Sequence, residues 1–164
     1  MRARKLALLA VMTATALILS VVENQFPLLP GIAGAKLGLA NIVTLLCLML
    51  WGWREAGIVL LARILLAALF SGHPSSLFYS LAGGFCCLVV MGLAKGFLSE
   101  RQIWFLSVLG ALAHNAGQML MALLILRTPL LLWYAPVLAL LALPTGLFTG
   151  LCAQMLVPRL KRFV

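Results

Sequence analysis

Long apolar runs alternate with short polar breaks along the whole chain. A membrane span takes roughly 20 apolar residues, with about 17 as the lower limit. Six runs approach that length: Leu6–Val22, Leu37–Trp53, Ala56–Ser71, Leu77–Lys95, Ile103–Leu126 and Trp133–Val157. The breaks between them carry turn chemistry. Phe26-Pro27 to Gly34 is a Pro/Gly loop, Gly52-Trp53-Arg54-Glu55 a tight polar corner, and Gly72-His73-Pro74-Ser75 a helix breaker followed by an N-cap. Ser99-Glu100-Arg101-Gln102 is the most polar stretch, and Arg127-Thr128-Pro129 ends the fifth run. This pattern predicts an all-α integral membrane protein, one domain built as a bundle of six transmembrane helices.

Composition strengthens that reading. Hydrophobic residues make up 65% of the chain and charged residues 9%, against about 25% charged in ordinary soluble domains. There is no aspartate, and the only acidic residues are Glu23, Glu55 and Glu100. These cannot clothe a soluble surface, whereas lipid removes the need for one. The net charge of +9 raises nucleic acid as a partner. The basic residues, however, flank apolar runs without aromatic interleaving, so they are read as topology signals and no nucleic-acid partner is expected.

Arg2, Arg4 and Lys5 before an apolar stretch, with Ala14-Thr15-Ala16 inside it, resemble a secretory leader. The run continues to Val22, however, and is read as a span. An even number of spans puts both ends on one side. That side then holds Arg2, Arg4, Lys5, Arg54, Lys95, Arg101, Arg159, Lys161 and Arg162, leaving Lys36 and Arg127 opposite. The positive-inside bias predicts a multi-pass protein of the inner or plasma membrane, with lipid around it and both termini cytoplasmic.

Charged groups at membrane depth cost about 2.5–3.5 kcal/mol on insertion scales and usually face a bundle interior or cavity. Arg63 falls inside the third run, and His114, Asn115 and Gln118 inside the fifth. Lys36 opens the second run, with Asn41 ~8 Å further in at the helical rise; Glu23 and Asn24 close the first. With the orientation above, all lie in the middle or outer half. The grouping predicts a substrate pocket open to the outside, formed by Lys36, Asn41, Arg63, His114, Asn115 and Gln118, with Lys36, Glu23 and the first loop at its mouth. The competing reading is that these groups only tie helices together. The excess of cations favours a small polar or anionic solute.

No catalytic residue is assigned, because His114 has no positioned partner visible in the sequence. Cys47, Cys86, Cys87 and Cys152 lie in apolar runs without a CxxC pair, so neither metal nor disulfide is expected. No P-loop or other cofactor motif is present. Small residues spaced by four mark helix contacts: Ala10 and Ala14, Gly92 and Gly96, Ala113 and Gly117, Gly146 and Gly150.

Three stretches carry a resemblance: Gly34-Ala35-Lys36-Leu37-Gly38-Leu39-Ala40-Asn41-Ile42-Val43-Thr44-Leu45, Ser76-Leu77-Phe78-Tyr79-Ser80-Leu81-Ala82-Gly83-Gly84 and Gly110-Ala111-Leu112-Ala113-His114-Asn115-Ala116-Gly117-Gln118. Together they resemble the bacterial Gx transporter family, also known as heptaprenyl diphosphate synthase component I. The family looks distantly similar to the substrate-binding S components of energy-coupling factor (ECF) transporters. That likeness implies a six-helix bundle capturing a solute from outside, with the first loop as a lid. It also implies docking through small residues of the first helix, here Ala7, Ala10 and Ala14, onto a membrane coupling subunit driven by two ATP-binding cassette ATPases. The synthase label implies another role, an accessory membrane subunit in polyprenyl synthesis. It cannot be a catalytic one, since diphosphate-bound Mg²⁺ needs clustered carboxylates and this chain has no aspartate.

Overall fold

Helix α2, only ten residues long (Asn41–Leu50), sits at the centre of the molecule and packs against all five other α-helices. The computed structural model describes residues 2–25, 38–71 and 74–163. Lys36, the Pro/Gly loop from Phe26 to Gly34 and the Gly72-His73 turn lie outside the described residues. The other helices are α1 (Arg2–Gln25), α3 (Trp53–Ser71), α4 (Pro74–Lys95), α5 (Ile103–Leu126) and α6 (Ala135–Leu160). Short 3₁₀ turns, Glu100–Gln102 and Pro129–Tyr134, precede α5 and α6. There is no strand among the described residues.

Glycines bound α2 at both ends. Gly38 has φ +74° and Gly52 has φ +104°, a region that side chains with a Cβ rarely enter. At the second end, the amides of Trp51 and Gly52 both close onto the Cys47 carbonyl, at 2.9 and 3.2 Å. The helix is therefore ~15 Å long, half of a ~30 Å hydrocarbon core. Val43, Leu45, Cys47 and Leu48 are all buried along it. Its apolarity serves the protein core; among the described residues of the 37–53 run, only Asn41–Leu50 and Trp53, the first residue of α3, are α-helical.

Among the described residues, four helical segments are long and apolar enough to cross a membrane: Ala3–Glu23, Ser76–Lys95, Glu100–Leu126 and Pro129–Leu160. Their outward faces carry Leu6, Ile18, Phe85, Leu93, Leu124, Leu140 and Phe148, all exposed, as lipid contact requires. The 19-residue α3 also shows lipid-type side chains outward (Ile58, Leu61, Leu65, Leu69) but carries Arg54, Glu55 and Arg63.

Around α2, α1 packs on α3, α3 on α4, α4 on α5 and α5 on α6. The last two contacts are close because glycines remove side chains from the interface. A Cβ on Gly117 would lie 2.6 Å from the Ala82 carbonyl oxygen, and one on Gly150 2.6 Å from Trp104 Cα. On the same α5–α6 seam the Ser107 and Thr149 hydroxyls meet at 3.0 Å. Gly92 instead makes room for the Trp53 ring.

One end of the bundle gathers both chain termini and most of the basic residues. Arg4 donates to the Phe163 carbonyl at 2.8 Å, and Lys95 to the Leu48 carbonyl at 2.7 Å. Lys5 pairs with Glu55, and Lys161 with Glu100.

Candidate functional site

Toward the opposite end, five helices enclose a polar cavity. Its wall is Ser20 and Glu23 from α1, Gly38 and Asn41 at the start of α2, Arg63, Ile64 and Ala67 from α3, Ser80 from α4 and His114 from α5. The spacing Ser20–Glu23 and Arg63–Ala67 puts each pair on one face of its helix. Glu23, Asn41, Arg63 and His114 are each less than 10% exposed, at 5, 9, 7 and 5%.

Among the described residues, Asn41 and Arg63 are incompletely hydrogen-bonded. Gly38 donates its amide to Glu23 Oε1. Arg63 Nη1 donates to Ser20 Oγ at 3.3 Å, while Ser20 donates to the Ala16 carbonyl at 2.9 Å. Arg63 Nε and both polar atoms of the Asn41 side-chain amide have no partner among the described residues. Such orphans are costly in a dry interior and call for water or a ligand. The enclosed space is about 20 Å³, enough for a water molecule and far below a typical ligand pocket. A guanidinium and a carboxylate facing one small space can polarise a dipolar group placed between them.

The six residues that the sequence grouped together do not all meet. Asn41, Arg63 and His114 line the cavity. Gln118 is buried one turn beyond His114, and the two side chains pack on Gly83 of α4; a Cβ there would lie 2.7 Å from Gln118 Cγ and 2.9 Å from His114 Cε1. Gln118 Nε2 has no partner among the described residues. Asn115 is turned away and donates to the Leu138 carbonyl on α6 at 2.9 Å, beside a separate apolar crevice with Met119, Leu123 and Leu132. Lys36 lies outside the described residues. Glu23, expected at the mouth, forms part of the wall, and Ser20 and Ser80 join it without having stood out in the sequence. Ser20 sits one turn before Glu23, and that spacing was the available signal.

Residues 12–156 match the family model for heptaprenyl diphosphate synthase component I. The chain belongs to this family. No curated protein and no solved structure matches it. Within the matched range fall all the described cavity residues, from Ser20 to His114.

Proposed function

We propose that this member of the heptaprenyl diphosphate synthase component I family is a substrate-binding subunit of the S-component type. It spans the membrane as a six-helix bundle with both termini cytoplasmic and captures a small polar or anionic solute from the opposite side. The observation that carries this reading is Arg63: a cation more than nine-tenths buried, with Nε lacking a partner among the described residues, facing Glu23 and Asn41 across one cavity. A structural network would satisfy those atoms internally. A solute with an anionic group toward Arg63 and polar groups toward the Asn41 side-chain amide would satisfy them on binding, and the cavity would widen to admit it. Ala7, Ala10 and Ala14 are all exposed on α1, which leaves that face available to an ECF coupling subunit with its ATP-binding cassette ATPases.

The test is mass spectrometry of small molecules and proteins retained by the gently solubilised complex. A polar solute held by the wild type and lost in Arg63→Ala and His114→Ala supports capture. Absence of any retained solute, with uptake unchanged in both variants, overturns it.

The family name favours a second reading, a non-catalytic accessory subunit in polyprenyl synthesis. Glu55 and Glu100 are engaged by lysines at the end holding the termini, while Glu23 lies in the cavity, so no carboxylate cluster forms among them. This reading predicts a soluble synthase that copurifies with the chain and loses activity without it.

A further inference from the structure

An apolar crevice between α3 and α4 runs beside the polar cavity. Leu60, Ile64 and Leu88 form its floor, Leu61 and Phe85 its exposed rim, and Gly57 and Ala82 leave it open. It offers about 480 Å³ and no polar surface. From Gly57 to Ile64, and from Leu81 to Leu88, it extends ~10 Å along the helices at their ordinary rise. Ile64 lines both spaces. It is 2% exposed and stands next to Arg63 in the sequence. One side chain therefore divides a polar chamber that has orphaned donors from an apolar slot the length of a short alkyl chain.

Resting on the solute-capture reading, we infer that the ligand is a single-chain amphiphile. Its compact dipolar head meets Arg63 and Glu23, its apolar chain lies between α3 and α4, and Ile64 turns aside to join the two spaces. The chain supplies what a 20 Å³ chamber cannot, namely buried apolar area, which is the main source of affinity in ligand pockets. The head separates this ligand from bulk lipid, whose acyl chains could fill the crevice without reaching Arg63. The crevice begins at the depth of the polar cavity and runs toward the end that holds the termini, so head and chain each have one place to go.

The test uses the full chain in phosphatidylcholine nanodiscs and 2-aminodecanoic acid, whose head carries a carboxylate and an ammonium beside an eight-carbon chain. Alanine serves as the head alone and decanol as the chain alone. 2-Aminodecanoic acid is expected to bind at least tenfold more tightly than either. Gly57→Leu, which fills the crevice, should remove that advantage, and Arg63→Gln should reduce the affinity to that of decanol. Ile64→Val, which opens the divide with little change in the core, should tighten binding of 2-aminodecanoic acid but not of alanine. If alanine binds as well as 2-aminodecanoic acid and depends on Arg63, the amphiphile is overturned while polar capture stands. If decanol binds equally and Arg63→Gln changes nothing, the crevice holds only lipid chains and the inference falls. Retained solutes that depend on Arg63 but lack an alkyl chain would overturn it as well.

Discussion

His114 and Asn115 are consecutive in α5 but face different neighbours. His114 lines the polar cavity and packs on Gly83 of α4, whereas Asn115 donates to the Leu138 carbonyl of α6 at 2.9 Å. A helix turns about 100° per residue, enough to send one side chain inward to the site and the other to the neighbouring helix.

That separation predicts a split between binding and stability. Asn115→Leu should lower unfolding free energy by about 0.5–1.5 kcal/mol, the usual worth of one interhelical hydrogen bond, while solute retention stays at the wild-type level. His114→Gln should weaken retention. Unfolding in mixed micelles together with retained-solute mass spectrometry checks both; equal loss of retention in the two variants would contradict the assignment.

The contrast also shows how far the sequence could be read. Apolar run length and charge placement were enough for an all-helical chain with most basic residues at one end, because both follow from what lipid excludes. Arg63, Asn41 and His114, which line the cavity, could be singled out because polar groups at depth are costly. What run length could not convey was direction around each helix. Asn115 and Gln118 share a polar stretch with His114, and only the packing of α5 between α4 and α6 separates their roles. The same limit applies to α2: its apolar run has the length of a span, but Gly38 and Gly52 bound a helix that is surrounded by protein instead of lipid.

Arg63 and Glu23 face one cavity from α3 and α1, so their charges should be energetically coupled. Arg63→Met alone leaves a buried carboxylate without its opposing charge, which is expensive; Arg63→Met with Glu23→Gln removes both charges. The double variant should therefore be more stable than the sum of the singles predicts, by about 1 kcal/mol or more. A double-mutant cycle on unfolding free energy measures this directly, and strict additivity would show that the two charges do not sense each other.

At the end that holds the termini, Lys5 donates a hydrogen bond to Glu55 and holds its carboxyl below the usual carboxylate range, with help from the Glu55 backbone amide and nearby Arg54. A lowered folded-state value means the stabilisation is fully present above the ordinary carboxylate pKa and fades as pH falls through the folded one. Lys5 is 44% exposed and Glu55 18%, so the pair is worth only about 0.2–1 kcal/mol. Glu55→Gln should cost that amount at neutral pH and almost nothing in acid. A wild-type and variant stability difference that stays constant down to acid pH would rule out this role.

The glycine seam between α5 and α6 makes the most severe prediction. A Cβ on Gly150 would meet Trp104 Cα at 2.6 Å and the Trp104 carbonyl oxygen at 2.8 Å. Both are backbone atoms, so no rotamer change can relieve the contact and the helices must part. Alanine is the better helix former by about 1 kcal/mol, yet Gly150→Ala should still destabilise by about 1–3 kcal/mol, because overpacking outweighs propensity. Gly57, inside α3, is the control: a Cβ there meets nothing closer than Leu88 Cδ2 at 3.7 Å, and Gly57→Ala should leave stability unchanged or raise it slightly. Unfolding of the two variants side by side separates helix propensity from helix packing, since propensity alone predicts a gain at both, and the seam predicts a loss at Gly150 alone.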